Sequence, residues 1–315
     1  MKKWDVKKLV TATVIFLLVS IASAPLPGQA VTVEETVKFT QEAVAKTAIK
    51  APLVNLRAPK MVKMDNLGDD QVRGSRVFIR EVDASYKVMN ALMLMPLSFD
   101  KARVASTEDS YGSEEGAYVN LGPTNLMTGM LNVDRIDPSV AHRVDAIVKS
   151  PEKFGVDPIK LNLQVTPKVI EVATVNIKNE MSKHQVLAME SWDFRLSDIS
   201  RYDKASLKHL LNRAYSTFKS YCDVMHRRVP GSALEIHTGF WGVGEEGNNA
   251  RVTTVLQMMA AQLAGVDHLT FHYAGENPQA IEDAQDFLDA RSGMNVSEIL
   301  DDLLSKTSQS GWRPG

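Results

Sequence analysis

The feature that most constrains this chain lies between residues 233 and 273. A short β-prone run, Ala233–His237 (ALEIH), meets a glycine-rich loop, Thr238–Asn249 (TGFWGVGEEGNN). An apolar run with helical spacing follows over Ala250–Ala264, closed by Gly265, and a second β-prone run, His268–Tyr273 (HLTFHY), completes the unit. Two strands of one sheet joined by a crossover of this length come out parallel, with a right-handed connection. The loop then sits at the carboxyl end of the first strand, where open α/β sheets bind their ligands.

The spacing of Gly239, Gly242, Gly244 and Gly247 has a physical meaning. A backbone folding around an anion turns several N–H groups inward and holds some residues at positive φ, which glycine adopts cheaply. The helix start that follows adds free N–H groups and a partial positive charge, so the loop suits a phosphate or diphosphate. It is neither a P-loop, since no Lys-Ser/Thr pair follows the last glycine, nor a GxGxxG dinucleotide fingerprint. Glu245 and Glu246 would repel a diphosphate unless they point to solvent. A tight glycine turn without a ligand is the alternative reading.

Elsewhere the chain reads as an α/β protein. Lys168–Lys178 (KVIEVATVNIK) is β-branched and follows Pro167, which predicts a strand, and Gln185–Met189 predicts another. Asp203 is the expected N-cap of a long helix whose Leu207, Leu210, Leu211, Ala214, Tyr215, Phe218 and Cys222 recur at helical spacing until Pro230-Gly231. Tyr86–Met95 is a Met-rich apolar run that Pro96 stops, and Lys101–Ala105 is a short strand candidate. His209 and His226 lack companions at ligand spacing, so neither a metal site nor a cofactor is expected. Cys222 lies on the apolar stripe and reads as a buried, inert thiol.

The amino terminus has the pattern of a secretory signal. Met1–Lys8 is basic, Leu9–Ala24 is apolar or small, and Gly28-Gln29-Ala30 offers a cleavage site after Ala30. An uncleaved anchor helix is the alternative, although the run is shorter than the roughly 20 residues of a comfortable span. The expected organisation is a signal peptide at 1–30, an extension or lid at 31–75 with a helix over Val33–Ile49, and the main domain at 76–315. Export to the periplasm or the exterior follows, with no stable membrane span after cleavage. Removing 1–30, which holds four Lys and one Asp, moves the formal charge from -2 to -5. An acidic chain attracts no nucleic-acid phosphates as a whole, so no direct DNA binding is expected. A single cysteine excludes an internal disulfide, leaving the core to stabilise the fold.

Thr238–Arg251 (TGFWGVGEEGNNAR) resembles the diphosphate loop of the poly(ADP-ribose) glycohydrolases. The resemblance extends over roughly residues 181 to 305: VLAMESWDF and SLKHLLNRAYSTF before the loop, VTTVLQMMAAQLAG and HLTFHY after it, and FLDARSGMNVSEILDDLL in the closing helices. It implies a macrodomain, a mixed sheet between helices, here with an N-terminal helical extension. It implies a hydrolase cleaving ribose–ribose O-glycosidic bonds of poly(ADP-ribose) or ADP-ribose conjugates, with ADP-ribose or its polymer as the partner. The alternative is an inactive ADP-ribose-binding macrodomain that kept the loop.

In that family a glycine triplet leads into Gln-Glu-Glu, whose last glutamate protonates the leaving ribose oxygen and then activates water. The counterpart here is Ser113-Glu114-Glu115, with Glu115 as the acid and Glu114 as the ribose ligand; the glycine triplet is absent. A solvated acidic loop is the other reading of these carboxylates. The resemblance assigns substrate binding to Thr238, Gly239, Trp241, Gly242, Gly244, Gly247 and Tyr273, with Tyr273 against the distal ribose. Phe240 stands where the family has Asn, and Glu246 where it has an aromatic residue.

Overall fold

The computed structural model describes residues 60–63, 76–84, 86–98, 103–107, 116–120, 146–147, 149–157, 167–175, 181–194, 201–243, 246–273 and 278–314. The chain divides into units 1–50 and 51–315, and every described residue belongs to the second. The signal segment, the helix expected at Val33–Ile49, Glu114, Glu115 and Gly244 lie outside the described residues.

The elements run β1 (Lys60–Lys63), β2 (Arg76–Glu81), α1 (Tyr86–Leu92), β3 (Arg103–Thr107), β4 (Ala117–Asn120), a 3-10 turn (Pro151–Phe154), β5 (Lys168–Val175), β6 (Met181–Ala188), α2 (Lys204–Arg228), β7 (Glu235–Thr238), α3 (Ala250–Ala264), β8 (His268–His272), α4 (Gln279–Asp289) and α5 (Val296–Lys306). The strands form one mixed sheet in the order β1-β2-β5-β6-β4-β7-β8-β3. From β6 through β4, β7 and β8 to β3 every pairing is parallel, and from β1 to β6 every pairing is antiparallel. The expected α/β architecture, and the parallel pairing of the strands that flank the glycine loop, are both present. Among the described residues no helix is long and apolar enough to cross a membrane.

Local chemistry explains the two central helices. Asp203 caps α2: its carboxylate accepts from the Ser206 N–H at 2.6 Å, and its own N–H donates to Ser206 Oγ at 2.9 Å. Leu207, Leu210, Leu211, Ala214, Tyr215, Phe218 and Cys222 have no exposed surface. Burial pushes the Cys222 thiol up to about 12, which keeps it protonated and inert. Gly265, at φ 81°, closes α3. Both helices pack on each other and on a sheet face built from Ala117, Val119, Leu187, Ile236, Leu269 and Phe271. The alternate residues Tyr118, Val186, His237 and His272 are buried on the opposite face.

Several boundaries differ from the sequence expectation. The strand expected at Lys101–Ala105 spans Arg103–Thr107, and that expected at Gln185–Met189 begins earlier, at Met181. The sheet takes its first edge strand, β1, from the segment expected to be an extension. After Gly116 the chain enters β4. Ala117-Tyr118-Val119 is too short a run to announce itself as a strand, yet it pairs with both β6 and β7 at the centre of the sheet.

Candidate functional site

The carboxyl ends of β6, β4, β7, β8 and β3 share one edge of the sheet, and the glycine loop leaves β7 there. Its first residues are clamped from α3: Thr238 Oγ1 donates to Gln257 Oε1 at 2.5 Å, and Gln257 Nε2 donates to the Gly239 carbonyl at 3.0 Å. Thr238 and Trp241 have no exposed surface, so their side chains anchor the loop in the core. Gly242 sits at φ +69°, and a Cβ there would lie 2.5 Å from Ser191 Cβ and 2.6 Å from Asn248 Nδ2. Both backbone and space require glycine at this position. Gly247 also has positive φ, 75°.

The loop is held from outside by the segment after β6. Asn248 Nδ2 donates to the Trp192 carbonyl at 2.5 Å and to the Gly242 carbonyl at 3.1 Å, and the Asn248 N–H donates to the Gly242 carbonyl at 3.0 Å. The Tyr202 hydroxyl donates to Asn248 Oδ1 at 3.2 Å and accepts from the Asn249 N–H at 2.8 Å. The Phe194 N–H donates to the Glu246 carbonyl at 2.9 Å. Ser191, Tyr202, Asn248 and Gln257 therefore build the loop, and none is visible in its glycine spacing. The Glu246 side chain is buried, with 4% of its surface exposed, rather than turned to solvent as an anion-binding loop would ask.

The helix start after the loop differs from the expectation of free N–H groups. Asn249 is the N-cap of α3, and its Oδ1 accepts from the N–H groups of Arg251 at 3.0 Å and Val252 at 3.4 Å. An Asn directly before a helical run is an N-cap signal that the sequence does carry. The Asn249 amide Nδ2 donates in turn to the carbonyls of Gly311 at 3.0 Å and Arg313 at 2.8 Å. Any anion on this loop is thus met by loop backbone more than by the helix terminus.

Tyr273 lies just beyond β8 on the same edge, half-buried, with its N–H donating to the Thr107 carbonyl at 3.1 Å. The structure thus brings Thr238, Gly239, Trp241, Gly242, Gly247 and Tyr273 to one edge of the sheet. Glu114 and Glu115 lie outside the described residues. Their described neighbour, Gly116, is at the other edge, at the amino end of β4, where a Cβ would lie 2.9 Å from the His237 ring and 3.3 Å from the Glu235 carbonyl. The four residues of β4 span about 13 Å between the two edges.

Two histidine environments flank this architecture. His237 Nδ1 lies 3.0 Å from His272 Nε2, and Tyr118 stacks on the His237 ring at 4.9 Å. His209 meets the Trp192 ring edge-on at 5.4 Å, with Glu190 at 3.9 Å. Burial, and then the Arg213 charge, push its imidazole down to about 4. Among the described residues no group of three metal-ligating side chains converges.

A comparison with curated proteins finds no match. Among solved structures the chain is similar to the poly(ADP-ribose) glycohydrolase of Deinococcus radiodurans in complex with ADP-ribose, at 15% identity over 69% of this chain and 95% of that one, with a TM-score of 0.42. It is similar to the poly(ADP-ribose) glycohydrolase of Thermomonospora curvata at 16% identity over 70% and 86%, TM-score 0.36. The Oceanobacillus iheyensis macrodomain with MES bound is similar at 10% identity over 62% and 96%, TM-score 0.40. Residues 161–280, which contain β5 to β8 and the whole glycine loop, match the family model of poly(ADP-ribose) glycohydrolase, macro domain fold. Over that span, which is less than half of the chain, the protein is similar to the poly(ADP-ribose) glycohydrolase family.

Proposed function

We propose that this protein binds ADP-ribose at the carboxyl edge of the sheet, with the diphosphate against the backbone of the glycine loop. The observation that supports it most is Gly242: its positive φ and its contact with Ser191 hold a glycine-only bend inside the family-matching span. Backbone N–H groups arranged around such a bend favour a polyanion without a basic side chain. Gly239, Gly244 and Gly247 complete the cradle, Thr238 and Trp241 fix its base, and Tyr273 packs on the distal ribose. Calorimetric titration of the purified protein with ADP-ribose tests this reading: saturable one-site binding supports it, and a flat titration at millimolar ligand ends it.

A second reading is a glycosidase on poly(ADP-ribose) or ADP-ribose conjugates, favoured by the family to which the matching span is similar. Glu115 then protonates the leaving ribose oxygen and afterwards activates water, and Glu114 holds ribose hydroxyls. The position of Gly116 at the amino edge of β4 favours binding over hydrolysis. Release of ADP-ribose from polymer, abolished by Glu115→Gln with binding retained, would decide for the enzyme. The secretory pattern at residues 1–30 supports export of either activity; sequencing of the exported protein should find Val31 at its amino terminus.

A further inference from the structure

A recess separate from the glycine loop opens where α1 and the residues before it face the first turns of α2. Its volume is ≈ 500 Å³, within the roughly 300–1,000 Å³ range of small-molecule sites. Lys204, Lys208 and Asn212 stand one helical turn apart on one row of α2, and His209 and Arg213 on the adjacent row. Met89, buried on α1, and Ala84 form the facing apolar wall. The two walls are tied together by Asn212 Nδ2, which donates to the Ala84 carbonyl at 2.7 Å.

The charges are unbalanced. Lys204 pairs with Asp301 at 2.6 Å, and Arg213 has Glu190 at 3.6 Å. Lys208 is half-buried and has neither an ion pair nor a side-chain hydrogen bond among the described residues. Among the described residues that line the recess, Lys204, Lys208 and Arg213 are cations and none is a carboxylate, on a chain whose formal charge is -2. Two ammonium groups one turn apart bracket a compact dianion, for which lysine acts as a point charge. A positive row facing an apolar wall selects a ligand with an anionic head and an apolar body.

We propose that this recess is a second ligand site, for a small organic phosphate monoester whose phosphoryl group meets Lys208 and Lys204 and whose apolar part lies on Met89 and Ala84. It does not rest on ADP-ribose binding. Trp192 separates the two sites: its ring meets His209 at the recess, while its carbonyl holds Asn248 of the loop.

The test is a calorimetric titration with phenyl phosphate, repeated on Lys208→Ala, in the presence of saturating ADP-ribose, and with phenol as the uncharged probe. The expected result is one-to-one binding of phenyl phosphate, about tenfold or more weaker in Lys208→Ala, unchanged by ADP-ribose and absent for phenol. Lys208→Ala removes no contact of the core, and an unchanged melting temperature verifies that it folds. No saturable binding, wild-type affinity in Lys208→Ala, or displacement by ADP-ribose would overturn the proposal. Failure of the ADP-ribose reading shows separately, as a flat ADP-ribose titration, and leaves the Lys208 comparison decisive.

Discussion

Gly242 and His209 show how single residues commit this molecule. An alanine at position 242 meets an unfavourable φ and a Cβ 2.5 Å from Ser191 Cβ. Left-handed strain and overpacking together cost about 2–4 kcal/mol, so Gly242→Ala should shift the urea midpoint down and weaken ADP-ribose binding in the same variant. His209 makes a prediction in pH. Its native value, about 4, lies below the ordinary 6.5, so between these values the unfolded chain binds a proton that the native state refuses. Stability should therefore fall as pH drops from about 6.5 towards 4. His209→Gln should flatten that part of the profile, measured by denaturation at a series of pH values.

At the scale of elements, the helix starts carry weight beyond their length. Asp203 and Ser206 close a reciprocal cap on α2, and Asp203→Ala should cost about 1 kcal/mol in chemical denaturation. Asn249 has three tasks: it caps α3, joins the Tyr202 network that holds the loop, and receives the C-terminal tail. Its loss should cost more than the Asp203 change and should also lower ADP-ribose affinity, which Asp203→Ala leaves intact. These helices were legible in the sequence because helical apolar spacing, the Asp203 cap and the closing Gly265 are local signals. β4 was not, because four residues without alternation become a strand only when β6 and β7 offer hydrogen bonds on both sides.

At the scale of the whole molecule, residues distant in sequence fasten the site from behind. Arg251 Nη1 donates to the Gly311 carbonyl at 2.9 Å, its Nε to Asp283 at 2.5 Å, and Trp312 packs on Phe287 at 5.6 Å. The Arg251 hydrogen bond holds the Asp283 carboxyl below its ordinary range. Deleting residues after Thr307 removes the tail carbonyls and Trp312; the expected loss is about 2 kcal/mol, or about 4–8 °C in melting temperature, read by calorimetry. The sequence by itself determined the strand, loop, helix, strand unit, its parallel pairing and its glycine bend, because periodicity, capping and glycine conformation act over a few residues. Tertiary structure alone decided that Ser191 rather than solvent faces Gly242 and that Gly116 lies at the edge of the sheet opposite the loop. Those outcomes depend on which strands become neighbours and which chain segments return to the loop, and such long-range closure leaves no local pattern in the residues it brings together.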